Sequence, residues 1–279
     1  MRSDKLDTLF QHTVVKKAEF FDKIVELLKG AGWTGIASIP TDFTVLNSKG
    51  VNNDKDLYIQ LKETDIYDKS QKTTNSPWFT ARLIKKYTPK SGQSGVIARP
   101  DAPWYGMSCG YIDSNNQAVA PYIDIDLWYY VSANGIMYIA QPPQTMNIPP
   151  FFGMMYHPEV EYCQQSECRG LMMNGWGTPP QLCQVMDNAS GDSQYAASLY
   201  YITLQTNPTQ QNKYLMSEIY YGSPIEGYRG NLNGIYTLPN INVLNRDIIT
   251  IGQDEYTVFV STDIWGLPSP AIAVLTKKG

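Results

Sequence analysis

One stretch of this chain carries a helical repeat, and it comes at the start. Val14, Ala18, Phe21, Val25 and Leu28 recur at steps of four and three, with Ile24 and Leu27 widening the stripe. Lys16, Lys17, Glu19, Asp22, Lys23, Glu26 and Lys29 fill the other side. This pattern predicts an amphipathic helix lying on a core. Gly30 and Gly32 follow it, and Gly32 suits the left-handed position that ends a helix. Leu6, Leu9 and Phe10 predict a shorter helix in front.

After Trp33 the period drops to two. Residues 43–46 and 56–63 read as strands with a turn at Asn47-Ser48-Lys49-Gly50. Residues 79–87 fit a short helix or a strand. Residues 122–132 alternate most clearly, with Ile123, Ile125, Leu127 and Tyr129 on one face and Asp124, Asp126, Trp128 and Tyr130 on the other. Asn134-Gly135 follows as a tight hairpin turn, and residues 136–140 return. Further strands are expected at 199–204, 214–220, 234–238, 248–251, 255–260 and 271–275. With 21 Gly and 18 Pro in 279 residues, a helical bundle is excluded. The expected fold class is α+β, mainly antiparallel β, with the N-terminal helix packed on the sheet and long loop excursions.

The chain divides into a helix-plus-sheet region (1–141), an extended excursion or arm (142–198) and a C-terminal β region (199–279). These form one continuous domain or two intimately packed ones. The excursion is rich in Pro, Met and aromatics without a clear period. Its segment Phe151, Phe152, Met154, Met155 and Tyr156 is either core filling or a docking arm, since Met and aromatic residues are enriched at interfaces. The expectation adopted is an arm laid over a neighbouring subunit. Gly32, Gly135 and Gly234 are the expected structural glycines, Gly234 as a bulge or close backbone approach.

Charge narrows the function. Charged residues make up only 17% of the chain, and 20 Tyr and 6 Trp exclude a disordered chain. Residues 87–200 hold nine acids against three bases, which disfavours phosphate neutralisation and so sequence-specific nucleic-acid binding. No run of about 18 apolar residues exists to span a membrane. The first residues carry charge where a signal peptide needs an apolar core.

Three motifs suggest chemistry and are outweighed by their context. Gly30-Ala31-Gly32-Trp33-Thr34-Gly35 matches a dinucleotide fingerprint, but the helix precedes the glycines instead of following them. No cofactor is expected. Gly106-Met107-Ser108-Cys109-Gly110 matches a nucleophile elbow, and Ser108, Asp113, Asp124 or Asp126, and His157 fall in a hydrolase order. Its flanks are turns, so no catalytic residue is assigned. Cys163, Cys168, Cys183 and His157 are too loosely spaced for a zinc site, and no metal is assigned. Asp124 and Asp126 share a strand face and read as a solvated hairpin side. Asn188-Ala189-Ser190 is a glycosylation triplet that matters only in a secreted chain.

Several landmarks occur in order. They are Ala31-Gly32-Trp33, Val45-Leu46-Asn47-Ser48-Lys49-Gly50, Leu57-Tyr58-Ile59, the run Trp128-Tyr129-Tyr130-Val131-Ser132-Ala133-Asn134-Gly135, Arg229-Gly230-Asn231-Leu232-Asn233-Gly234-Ile235-Tyr236, Asp247-Ile248-Ile249-Thr250-Ile251-Gly252 and Tyr256-Thr257-Val258-Phe259. This set resembles a family of structural proteins of tailed-bacteriophage virions, and the early part resembles tail-terminator proteins of the neck. Gln141-Pro142-Pro143-Gln144 departs from it by lacking a basic residue. The resemblance implies a virion subunit without enzymatic activity, assembled in the host bacterial cytoplasm. Its partners would be copies of itself in a ring, hexameric by the resemblance, and other neck or tail proteins. A host-surface or carbohydrate-binding tail or baseplate component is the alternative, and a serine hydrolase using Ser108 and His157 is a third reading.

Overall fold

A computed structural model describes residues 8–39, 43–63, 79–84, 86–90, 93–98, 105–107, 122–144, 150–157, 170–176, 183–186, 198–200, 216–223, 227–240, 243–260 and 271–279. The chain opens with β1 (Gln11–Lys16), a 3-10 turn (Lys17–Glu19) and α1 (Phe20–Gly30). Then come β2 (Thr34–Ile39), β3 (Phe43–Ser48), β4 (Leu57–Glu63), β5 (Phe79–Ile84), β6 (Lys86–Lys90), β7 (Gln93–Ala98) and β8 (Tyr105–Met107). The middle supplies β9 (Asp124–Ser132), β10 (Gly135–Gln141), β11 (Phe151–Tyr156), β12 (Gly170–Trp176) and β13 (Cys183–Met186). The last third supplies β14 (Ser198–Tyr200), β15 (Ser217–Ser223), β16 (Gly227–Leu238), β17 (Ile248–Ile251), β18 (Asp254–Phe259) and β19 (Ala271–Lys277). The fold is α+β, mainly antiparallel β, as the sequence predicts.

The helix begins later than its apolar stripe. Residues 11–16 pair as β1 with β9, so Val14 is an exposed strand residue opposite Asp126. Thr13, Val14 and Val15 are β-branched in succession and lose rotamer freedom in a helix, which favours the ladder. Leu9 and Phe10 are not helical, and Leu6 lies outside the described residues. Helix α1 buries Phe20, Ile24 and Leu28, with Phe21, Val25 and Leu27 at the rim. It ends at Gly32, φ 94°, where Trp33 N–H donates to the Leu28 carbonyl and Gly32 N–H to that of Lys29. This is the paired-bond ending that glycine permits.

The central sheet runs β1-β9-β10-β11-β12-β13. A second sheet, β2-β3-β4-β5-β8, and helix α1 cover one face of it. The third sheet, β14-β15-β16-β19-β18-β17, covers the other. Alternation along the central strands therefore feeds two cores. Ile125, Leu127, Ile136, Tyr138, Ala140, Phe151 and Met155 join Phe20, Leu46, Ile59 and Phe79. Trp128, Met137, Ile139, Phe152 and Met154 join Ile219, Leu232, Ile235, Phe259 and Val274. The carboxylate side expected to be solvated on β9 is thus solvated only at its start, and from Trp128 onward it packs.

The expected arm is corrected at 151–156; 145–149, 158–169, 177–182 and 187–197 of the excursion lie outside the described residues. Phe151, Phe152, Met154, Met155 and Tyr156 form an interior strand, hydrogen-bonded to β10 on one side and β12 on the other. Four of the five are buried within their own chain. Undocking four such side chains costs roughly 10 kcal/mol, at about 1.5–3 each. That equals the whole stability of an ordinary domain, so this segment cannot double as a detachable interface. The division at 141/142 likewise falls between neighbouring strands of one sheet. Residues 79–84 and 86–90 are strands, not a helix.

Gly234 and Gly153 sit at close approaches. Gly234, φ 75°, sits where Glu218 pairs with Tyr236 and Ile219 with Leu232, so β16 bulges between them. A Cβ there would lie 2.3 Å from the Thr8 carbonyl oxygen. Gly153 stands opposite Tyr138, whose fully buried ring fills the space of the missing side chain, and a Cβ would come within 2.2 Å of it. Gly153→Ala is expected to lose roughly 3 kcal/mol in urea unfolding through overpacking. Adding Tyr138→Leu should recover part of that loss. Equal unfolding midpoints for wild type and Gly153→Ala would show that the ring is not packed on the glycine.

Candidate functional site

The two-residue turn between β9 and β10 gathers residues that lie far apart in the sequence. Gly135 pairs with Ser132, so the loop residues are Ala133 and Asn134, one position earlier than the expected Asn134-Gly135. The positive φ falls on Gly135 alone, at 132°, and a Cβ there would lie 2.1 Å from the Met155 carbonyl oxygen. Every carbonyl of the turn has a donor. Trp33 Nε1 donates to Ser132 O at 2.9 Å, Ser48 Oγ to Ala133 O at 2.6 Å, and His157 N–H to Asn134 O at 2.7 Å. Asn134 is buried, and its Oδ1 accepts from Val51 N–H at 3.1 Å. Ser48 Oγ also accepts from Gly50 N–H at 3.1 Å. Buried backbone groups require such partners. The helix end, the β3–β4 loop and the end of β11 are thereby fixed to one turn.

His157 closes this junction from behind. Its side chain is buried, and among the described residues neither ring nitrogen has a hydrogen-bond partner. Burial, with the Lys55 ammonium adding to it, pushes the imidazole down to about 3. A base that weak is poorly matched to proton transfer at neutral pH. Of that motif Asp124, Asp126 and His157 have described positions, while Ser108 and Asp113 lie outside the described residues. Cys163 and Cys168 also lie outside them, and Cys183 is described only as a backbone member of β13. Among the described residues no group of three His, Cys, Asp or Glu is placed to hold a metal ion.

A second cluster joins the central and third sheets. His12 Nε2 lies 2.8 Å from Asp126 Oδ1, and the Arg246 guanidinium pairs with the other carboxylate oxygen. Both side chains also meet Trp128. The His12 ring stacks on the indole at 4.5 Å, and Arg246 lies 5.0 Å from its centroid. Trp128 in turn meets Phe259 edge-on at 4.8 Å. Arg246 is held at φ 73°, with its N–H on the Val258 carbonyl at 2.7 Å. Leu244 N–H donates to Asp247 Oδ2 at 2.7 Å, and Asn245 Nδ2 to Gln141 Oε1 at 2.7 Å. Asp124 takes no part: it is exposed and pairs with Lys16 at 3.0 Å.

With both oxygens of Asp126 occupied, the carboxylate is placed to hold two sheets together and not to abstract a proton. No described serine or cysteine stands by His12 in these contacts. His12 and Arg246 are the residues that sequence reasoning misses. Positions 12, 126 and 246 share no spacing, and the one local signal is Asn245-Arg246-Asp247, a polar turn ahead of a strand. No protein-family model matches this chain, and a search of curated proteins finds no significant relative.

A pH dependence follows from His157. Its folded pKa is depressed, so the unfolded chain takes up a proton near pH 6.5 while the folded chain stays neutral. The stability it contributes is complete above that value and falls as the pH drops toward 3. The slope is at most about 1.4 kcal/mol per pH unit. Urea unfolding from pH 7 to pH 5 should show a steeper decline for wild type than for His157→Gln. Identical slopes would place the imidazole in contact with solvent.

Proposed function

We propose that this chain is a structural subunit of a tailed-phage virion, a ring-forming component of the neck or tail that works through protein contacts and not through catalysis. The observation that supports it is where the landmarks of the resemblance lie. Gly32-Trp33, Ser48-Lys49-Gly50 and Ser132-Ala133-Asn134-Gly135 come together in one hydrogen-bonded turn. The Asp247-to-Gly252 landmark is strand β17 with its lead-in, beside the Arg246 cluster on Trp128. The ordered set thus marks joints of the fold, as suits a family defined by its architecture.

The contact surface differs from the arm expected at first. Exposed apolar side chains gather at the strands that end two sheets: Val14 on β1, and Ile248 and Ile251 on β17, with Leu244 leading into it. Strand β17, Ile248–Ile251, carries no charged residue, and an edge strand of this kind invites pairing with another chain. A head-to-tail contact between edges closes into a ring when its rotation permits. The number six comes from the resemblance.

The test is to purify the particles whose genome encodes this chain and identify it in them by mass spectrometry. Recovery in several copies per particle is expected. An Ile248→Lys/Ile251→Lys protein should fold with an unchanged thermal midpoint and fail to enter particles. Absence of the wild-type chain from infectious particles would overturn the proposal.

A further inference from the structure

No further inference is drawn: the strongest candidate, the exposed apolar surface patch of Leu244, Ile248 and Ile251 along the edge strand β17, belongs to the contact surface already described, and nothing in the structure shows what covers it.

Discussion

Strand β10 is buried at all seven of its positions, and the rest of the molecule is arranged to cover it. An antiparallel strand usually leaves one face to water, so continuous burial requires a layer on each side. Here α1 and the second sheet supply one layer and the third sheet the other. The N-terminal and C-terminal regions thus each complete a core begun by β9, β10 and β11. Tyr138 shows how tightly this is done: its ring sits over Gly153 and meets Phe20 edge-on at 5.7 Å and Phe151 at 6.2 Å. The interior strand leaves no large side chain free to shift without opening a void, and voids in cores are costly.

Two polar devices fix the layers in register where apolar packing alone would leave them free to slide. At one end the Ala133-Asn134 turn is held by donors from Trp33, Ser48, Val51 and His157, which lie on three neighbouring segments. On the other face Asp126 is shared by His12 and Arg246 over the Trp128 ring. Hydrogen bonds to buried carbonyls contribute little net energy but are expensive to lose, which makes them good at excluding alternatives. Joints of this kind bring Trp33, Ser48 and the Ser132-to-Asn134 turn, far apart in the chain, to one place.

The parts legible in the sequence were those whose cause is local. Gly32 after an amphipathic helix, alternation from Ile123 to Val131 and the lone Gly234 in a strand each follow from one neighbour's sterics or one face's burial. Phe151 to Tyr156 was misread for the opposite reason. A strand buried on both faces has no alternation, and its Pro-rich surroundings resemble those of a loop. The helix start was misplaced because Val14 fits the helical stripe and a β-edge equally well, and only pairing with β9 decides between them. The joining of His12, Asp126 and Arg246 was not legible, since a contact across 234 positions from the first to the last has no spacing to read.

Amide hydrogen exchange measured strand by strand tests the central layer most directly. If β10 is the covered interior and β11 its neighbour in the same core, the amides of 135–141 and of 151–156 open only with the whole molecule. Both sets should then exchange at the slowest rate in the protein, and both should respond to urea with the full slope of global unfolding. Exchange of 151–156 orders of magnitude faster than that of 135–141, with little urea dependence, would mean that this segment detaches on its own. The two-core arrangement would then be wrong.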